Sequence, residues 1–210
     1  MLDVALPLLL TNNDKPFVVQ VGASDGVTGD PLNHLIKRHH LRGLLIEPLP
    51  GPFELLRRNY EGCEGLAFVN AAISGSDGEI ELYVSDGAEN AIHISQKASL
   101  LPQMPSRHFK RRPLMCLRVP SVTVSTLIET HKVGRIDLLQ IDTEGYDFEI
   151  IQQFFNAGHK PRIIHFESLH LNRKDMTECR SLLSREGYQY VETTVNTLAV
   201  KLPDLDTAMA

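Results

Sequence analysis

The sequence predicts an α/β fold with a mostly parallel, seven-stranded sheet and helices on both faces. Short apolar segments alternate along the chain with longer segments whose apolar residues recur at helical spacing, which is typical of parallel strands joined by helices. Several strand-like segments are apolar throughout, as expected for strands that are covered on both faces. The last two, 188–191 and 198–201, flank a short polar turn and predict an antiparallel hairpin at the end of the sheet.

The other elements are predicted in chain order from their patterning and their end signals. Asp30 followed by Pro31 is typical of a helix start, so Asp30 is either the N-cap of that helix or an active-site carboxylate. Ser125 is predicted to cap a helix that runs to His131, and Gly187 to end the last helix. The remaining predicted strands are 16–22, 41–46, 66–69, 136–141 and 162–166, and the remaining predicted helices are 53–60, 146–155 and 172–186.

The middle of the chain interrupts this alternation and predicts an insertion. Alternating apolar residues at 80–84 and a strand-like segment at 117–122 predict a hairpin, and segment 85–113 is too long for a routine connection. Its charged residues belong either to a solvated loop or to a lid over the substrate. They are Arg107, His108, Lys110, Arg111 and Arg112. We expect a helical extension at 1–15 and a domain at 16–210 with the inserted hairpin and lid loop at about 76–123.

Charge balance and cysteine content narrow the classes of partner and compartment. The chain has 21 Lys and Arg against 26 Asp and Glu, a formal net charge of −5, which does not favour nucleic acid or an anionic membrane surface. Cys63, Cys116 and Cys179 are widely spaced and odd in number, which argues against a disulfide framework and a zinc site and favours a reducing, cytoplasmic location. The apolar run 2–10 is too short to span a membrane and predicts a helix that packs on the domain or on a partner subunit, as in a homodimer.

A turn of small residues follows the first predicted strand, at the edge where α/β sheets bind ligands. Gly22 and Gly26 leave the backbone bare, and Ser24 and Asp25 add polar side chains, which predicts a site for a nucleotide-like cofactor. Glu47 ends the second strand at roughly the spacing at which a carboxylate binds ribose hydroxyls, although a solvated or helix-capping glutamate would also fit there. The turn reads GASDGV and lacks the GxGxxG spacing of dinucleotide sites, which disfavours a nicotinamide cofactor.

Five segments form an ordered set: VQVGASDGVTGDPL (19–32), GLLIEPLPGPFELL (43–56), NAAI (70–73), IDLLQIDTEGYDFEII (136–151) and PRIIHFES (161–168). Together they resemble the FkbM family of S-adenosylmethionine-dependent methyltransferases, over about 16–200, and IDTEGYDFEI is the most specific part. The terminal hairpin is likewise typical of class I methyltransferases rather than of nicotinamide-linked dehydrogenases. The resemblance implies a Rossmann-like sheet, S-adenosylmethionine as methyl donor, and a hydroxyl acceptor that is often part of a polyketide or a carbohydrate.

The resemblance also implies which residues bind the cofactor. They are Gly22, Ala23 and Ser24 for the methionine part, Glu47 for the ribose, and Asn70 with Ala71 beside the adenine, with Asp25 in the same turn. Gln20 stands where the family more often has an acidic residue near the cofactor amino group. An amide oxygen can still accept a hydrogen bond there.

The polar residues at two later strand ends predict how the acceptor loses its proton. Asp142 and Glu167 end neighbouring strands, so we expect two carboxylates close together, and their charges repel unless they share a cation. A Mg²⁺ or Mn²⁺ ion held by both would bind the acceptor hydroxyl and lower its pKa. The layout is similar to that of catechol-type O-methyltransferases, which is an analogy of fold.

A base without a metal is the alternative. His165 and Glu167 lie two apart on one strand and face the same side, so His165 can take the proton while the carboxylate orients it. Equally, His165 can be a core histidine bonded to a backbone carbonyl. Glu144 can also act as the base, or it can be only the acidic residue that the N-terminus of the next helix favours.

We therefore expect an O-methyltransferase that acts on a small-molecule hydroxyl, of the sugar or polyketide type. Two other classes stay open, a nicotinamide-dependent oxidoreductase and a non-catalytic cofactor-binding module. The absence of GxGxxG and the terminal hairpin count against the first. The carboxylates at Asp142 and Glu167 count against the second.

Overall fold

A computed structural model describes residues 2–10, 15–85, 98–103 and 113–202 and has the alternating order that the sequence predicts. The helices and strands are, in chain order, α1 (Leu2–Leu10), β1 (Phe17–Val21), α2 (Asn33–His39), β2 (Arg42–Ile46), α3 (Pro50–Asn59), β3 (Leu66–Val69), β4 (Ala72–Ile73), β5 (Gly78–Ser85), β6 (Leu114–Val122), α4 (Val124–His131), β7 (Leu138–Ile141), α5 (Asp147–Asn156), β8 (Ile163–Glu167), α6 (Arg173–Arg185), β9 (Tyr188–Glu192) and β10 (Asn196–Lys201). Within these ranges, no helix combines the length and apolar character needed to cross a bilayer.

The main sheet has seven strands in the order β3–β2–β1–β7–β8–β10–β9. The first five strands of this order pair in parallel, and β10 pairs antiparallel with both β8 and β9. The predicted Rossmann-like α/β sheet with a terminal antiparallel hairpin is therefore confirmed. Because β1 lies between β2 and β7, the carboxyl ends of these three strands meet at one edge of the sheet, where ligands bind in this class of fold.

Helices cover both faces of the sheet, so the strand residues alternate between two cores. Val19 and Val21 pack in the layer that contains α4, α5 and α6, and Val18 packs in the layer under α1, α2 and α3. Burying both faces explains why these strands are apolar throughout. Helix α1 places Leu2, Ala5 and Leu9 in the second layer, so this helix packs on the domain itself.

The insertion forms a small second sheet beside the carboxyl edge of the main one. Its order is β4–β6–β5, with β5 and β6 antiparallel as predicted, and β4 adds a short parallel strand that the sequence did not predict. Leu82, Val84 and Val119 from this sheet share a third apolar cluster with Leu49, which lies in the loop after β2. The insertion is therefore fixed to the main domain. The basic residues of the predicted lid, 107–112, lie outside the described residues.

Two predicted helix caps are wrong, and neighbouring polar groups explain both. Helix α2 begins at Asn33, because the Asp30 carboxylate accepts hydrogen bonds from Leu32 N at 2.6 Å and from Gln20 Nε2 at 3.2 Å and so holds a turn before the helix. Thr123 rather than Ser125 caps α4, since the Thr123 hydroxyl accepts from Thr126 N. Gly187 follows α6 with φ of +81°, as a helix-ending glycine does.

Candidate functional site

A cavity of about 270 Å³ opens at the carboxyl edge of the main sheet. The turn after β1, the end of β2 and the loop after β7 form one wall. Leu82 and the segment 98–100, which belong to the insertion, form the opposite wall. A ligand in this cavity would therefore lie between the main sheet and the insertion.

The turn after β1 presents bare backbone to the cavity. Gly22 and Ala23 both donate from their backbone N–H to Ile46 O at 3.0 Å, which ties the turn to the end of β2. Gly22 has φ of +80°, and a Cβ built there would lie 1.9 Å from Asp142 O. Only glycine fits this position. Ser24 also has a positive φ, of 48°, and its buried hydroxyl has no hydrogen-bond partner among the described residues.

Glu47 is a buried carboxylate that the backbone orients within the cavity wall. Its Oε2 accepts from Ser24 N at 2.8 Å and its Oε1 accepts from Leu49 N at 2.9 Å. Burial raises the pKa of Glu47 to about 7. The two hydrogen bonds lower this pKa, and the charges of Asp142 and Asp25 raise it by smaller amounts. Each oxygen keeps acceptor capacity for a ligand hydroxyl.

Two other predicted cofactor residues serve mainly to hold this wall in place. Asp25 accepts from Val27 N and Thr28 N and from the Thr28 hydroxyl, so it closes the turn after β1. The Asn70 amide donates to Glu47 O at 2.8 Å and to Pro48 O at 3.0 Å. Its neighbour Ala71 lines the cavity, as a residue beside an adenine would.

Two glutamine side chains extend the polar lining below the turn. Gln20 and Gln140 are paired in register on β1 and β7, and each is only 2% exposed. Gln20 Nε2 donates to Asp30, whose pKa burial raises. The Oε1 atoms of both glutamines are buried and accept no hydrogen bond from the part of the chain that the structure describes. Both therefore suit a ligand that brings N–H donors, such as an ammonium group.

The loop after β7 brings Asp142 and Glu144 to the cavity. Asp142 is exposed there, whereas Glu144 is 2% exposed and has φ of 54°. The fully buried Asp147 holds this loop, because its Oδ2 accepts from Gly145 N and from the Thr143 hydroxyl, both at 3.1 Å. Burial, and next the Asp142 charge, raise the pKa of Asp147 to about 7.

Replacement of Asp147 tests whether this carboxyl holds the loop. Asp147→Ala leaves the half-buried Gly145 N–H and Thr143 hydroxyl without their acceptor, so we expect a loss of about 2 kcal/mol in the free energy of unfolding. Asp147→Asn keeps an acceptor and resembles the protonated acid, so we expect no loss at pH 8. Urea denaturation at pH 8 measures both. Equal losses in the two variants would contradict the assignment.

His165, the predicted base, lies in the middle of the sheet. It pairs in register with Gln140 and Leu198, is 5% exposed and is not among the cavity-lining residues. Burial lowers its pKa to about 4, so its ring is neutral at pH 7. Its Nδ1 has no hydrogen-bond partner within the described ranges, so the backbone carbonyl expected for a core histidine is not found there.

Glu167 lies in a second polar cluster, together with Glu144 and His170. His170 Nε2 lies 3.1 Å from Glu144 Oε2 and 3.6 Å from Glu167 Oε2. The three side chains are at most 9% exposed. Among the described residues, these three side chains form a group that could share a metal ion, and Asp142 is not part of it. The structure therefore groups Glu167 with Glu144 and His170.

Comparison with known proteins identifies the family of this site. The family model described as the methyltransferase FkbM domain matches residues 20–190. The chain belongs to the FkbM methyltransferase family. The match extends from Gln20 at the base of the cavity to the terminal hairpin, and the family supports methyl transfer from S-adenosylmethionine as the general chemistry. No curated protein matches the chain by sequence.

Solved structures share the fold of this FkbM domain at low sequence identity. A methyltransferase FkbM from Methylobacillus flagellatus KT is 17% identical with a TM-score of 0.56, and the match covers 89% of this chain and 44% of that chain. The METTL16 methyltransferase domain, in its second crystal form, is 10% identical with a TM-score of 0.54 over 97% of this chain and 66% of that chain. The chain thus spans less than half of the FkbM structure that it matches.

Sequence patterning missed several residues of the FkbM site. Gln140 lies inside an apolar strand, and only its register with Gln20 places it in the cavity. Ser99 lies in the insertion, and its hydroxyl donates to Glu144 O at 2.9 Å. Asp147 lies in the segment IDTEGYDFEI, at the start of a predicted helix. An acidic residue at that position was a signal in the sequence that could have identified it. His170 follows Glu167 by three residues in a loop without periodicity.

Proposed function

We propose that this chain is an S-adenosylmethionine-dependent O-methyltransferase whose acceptor is a hydroxyl of a carbohydrate or a polyketide-type small molecule. The observation that carries the proposal is the cavity between the main sheet and the insertion, with cofactor-type groups on one wall and acidic side chains beside them. When bound, the cofactor supplies an electrophilic methyl group on a sulfonium, and the electrons of the S–C bond stay on sulfur when the methyl group is transferred.

The donor wall fits this cofactor group by group. The bare turn at Gly22 allows close approach to the backbone, and Glu47 is positioned to accept from ribose hydroxyls. The amide oxygens of Gln20 and Gln140 suit the ammonium group of the methionine part. Ala71 borders the adenine in this arrangement. The proposal thus accounts for buried polar atoms that the described residues leave without a partner.

Asp142 is the residue that we assign to the acceptor proton. Asp142 is exposed and lines the cavity, and its backbone oxygen lies next to the turn at Gly22. With the cofactor and the acceptor bound, this carboxylate would take the hydroxyl proton as the acceptor oxygen is methylated. His165 does not border the cavity, so it is the weaker choice of base. The proposed function includes a divalent cation that would assist loss of the hydroxyl proton.

The test combines cofactor binding with methyl transfer. We expect calorimetry to detect binding of S-adenosylhomocysteine, and mass spectrometry to detect a mass gain of one methylene on a sugar glycoside or a polyketide alcohol. Asp142→Asn should lower kcat by roughly 10²–10⁴-fold while the S-adenosylhomocysteine Kd stays within about threefold. Glu61→Gln, at an exposed position, is the control that leaves both unchanged.

Other results would favour the alternatives. Binding of a nicotinamide cofactor in place of S-adenosylhomocysteine would point to an oxidoreductase, and binding without turnover on a broad acceptor panel would point to a non-catalytic module. Methylation of RNA or protein in the same assay would overturn the proposal of a small-molecule acceptor. The net charge of −5 already disfavours nucleic acid as the acceptor. A cytoplasmic location and a homodimer remain predictions.

A further inference from the structure

We propose that Glu144, Glu167 and His170 bind one divalent cation of the Mn²⁺ type. The three residues come from two neighbouring strand ends, Glu144 from the loop after β7 and the other two from the end of β8 and the loop after it. Each offers one ligand atom, and these atoms all lie within 4.8 Å of one another. This set differs from the pair Asp142 and Glu167 that the sequence suggests.

The spacing of the ligand atoms fits a shared ion. For bonds of about 2.1–2.2 Å, neighbouring ligand atoms lie about 3.0–3.6 Å apart, depending on the coordination geometry. The observed separations from His170 Nε2 are 3.1 Å to Glu144 and 3.6 Å to Glu167. The site therefore needs little rearrangement to hold a metal.

Charge and burial point in the same direction. Two carboxylates this close together, with side chains 2% and 9% exposed, concentrate negative charge at a point that attracts a cation. A divalent cation balances both carboxylates while His170 stays neutral and binds through Nε2. An imidazole with two carboxylates favours Mn²⁺ over Mg²⁺, which prefers carboxylates, phosphates and water.

Groups behind the ligands fix their orientation. Ser99 Oγ donates to the backbone oxygen of Glu144, and Asp147 holds the following turn through Gly145 N. On the other side, Ser168 N and Leu169 N both donate to Val195 O, at 2.8 and 3.0 Å, so the loop that carries His170 is tied to the terminal hairpin. Such support from neighbouring groups is typical of metal sites.

The location gives the ion a role that rests on the proposed function. Glu144 also lines the cavity, and Ser99 of the insertion bonds to its backbone oxygen. The cluster therefore lies next to the part of the cavity that the insertion forms. A cation held there would lower the pKa of an acceptor hydroxyl that reached it, and Asp142 would still take the proton. The cation would thereby select acceptors with a hydroxyl that can reach it.

Metal binding is measured without cofactor or acceptor, so its failure is distinct from failure of the proposed function. We expect calorimetry of chelator-treated protein to give about one Mn²⁺ per chain, with Mg²⁺ binding at least tenfold more weakly. Pulsed electron paramagnetic resonance on the wild-type protein should show coupling of Mn²⁺ to one imidazole nitrogen. This spectrum needs no variant, so it stands even if a substitution impairs folding.

Variants then assign the ligands. His170→Ala and Glu167→Gln should each weaken Mn²⁺ binding at least tenfold, and His170→Ala should remove the nitrogen coupling. His34→Ala is the matched control, because His34 Nε2 lies 2.8 Å from Asp3 in a histidine–carboxylate pair that lies away from the cavity and should leave Mn²⁺ affinity unchanged. Absence of saturable Mn²⁺ binding, or unchanged binding in folded His170→Ala, would overturn the proposal and leave a protonated His170 as the partner of both carboxylates.

Discussion

Replacement of Gly22 by alanine is expected to destabilise the protein by about 3–5 kcal/mol and to abolish cofactor binding. The added Cβ would lie 1.9 Å from Asp142 O, a backbone atom that cannot move without shifting β7. The positive φ of Gly22 adds a cost of about 1 kcal/mol for any residue with a side chain. Urea denaturation measures the free energy of unfolding, and calorimetry with S-adenosylhomocysteine measures binding.

Gly29 provides the control for the effect of φ alone. It lies in the same loop with φ of +72°, and nothing lies within 4 Å of a Cβ built there. Gly29→Ala should therefore cost only about 1 kcal/mol. The difference between the two variants isolates the overlap with Asp142 O. Equal destabilisation by both substitutions would show that the close contact of β1 with β7 is not what requires glycine at position 22.

Replacement of Glu47 by glutamine is expected to weaken cofactor binding and to make the stability of the protein less dependent on pH. A ribose hydroxyl that donates to a carboxylate gains more than one that donates to an amide, so we expect a loss of about 2 kcal/mol, roughly 30-fold in the S-adenosylhomocysteine Kd. Hydroxyl donors also favour the ionised form of Glu47. Affinity of the wild-type protein should therefore increase as pH rises through about 7, and Glu47→Gln should remove this dependence.

The stability of the unliganded protein should change in the opposite direction. The pKa of Glu47 is about 7 in the folded state and 4.5 as its ordinary value, so the folded protein keeps a proton that the unfolded chain loses between these pH values. Stability from this group is fully present below pH 4.5 and is lost as pH rises to about 7. Glutamine does not titrate, although its amide nitrogen cannot accept from Ser24 N or Leu49 N and so adds a cost that is the same at every pH. Between pH 5 and pH 8, the wild-type protein should therefore lose on the order of 1–3 kcal/mol more stability than Glu47→Gln.

Denaturation at pH 5 and pH 8 separates this effect from a general change in packing. Glu54→Gln, on the exposed side of α3, is the control, and its stability should match that of the wild-type protein at both pH values. If Glu47→Gln bound S-adenosylhomocysteine as tightly as the wild-type protein, the ribose role of Glu47 would be wrong. If Glu47→Gln and the wild-type protein lost the same stability between pH 5 and pH 8, the raised pKa of Glu47 would be contradicted.

Local patterns predicted the sheet, and the turn and the carboxylate at its cavity edge, because the relevant signals lie within short segments. Val18, Val19 and Val21 are apolar on both faces, and Gly22 follows them directly, so the strand and the turn are visible together in sequence. Glu47 follows a strand of the same kind. Gly187 ends α6 as its position suggests, since a residue with positive φ is a local requirement.

Contacts between distant segments account for what the sequence did not predict. Asp30 does not cap α2, because Gln20 on a neighbouring strand also binds its carboxylate. His170 reaches Glu144 only because Val195 of the terminal hairpin holds the loop after β8. Neither relation leaves a periodic trace in the sequence. The pairing of Glu167 with Glu144 and His170, in a group without Asp142, depends on the same tertiary contacts.

The separate origin of the two cavity walls has a consequence for divergence within the family. One wall belongs to the main sheet, and the other to an insertion between β3 and α4. Under the proposed function, exchange of that insertion would change the acceptor side of the cavity and leave the donor side unchanged. Two joints limit such an exchange, namely the Ser99 hydroxyl on Glu144 O and the apolar contact around Leu49. A transplanted insertion that preserved a hydroxyl and an apolar face at these joints would bring a new substrate range to an old methyl-donor site.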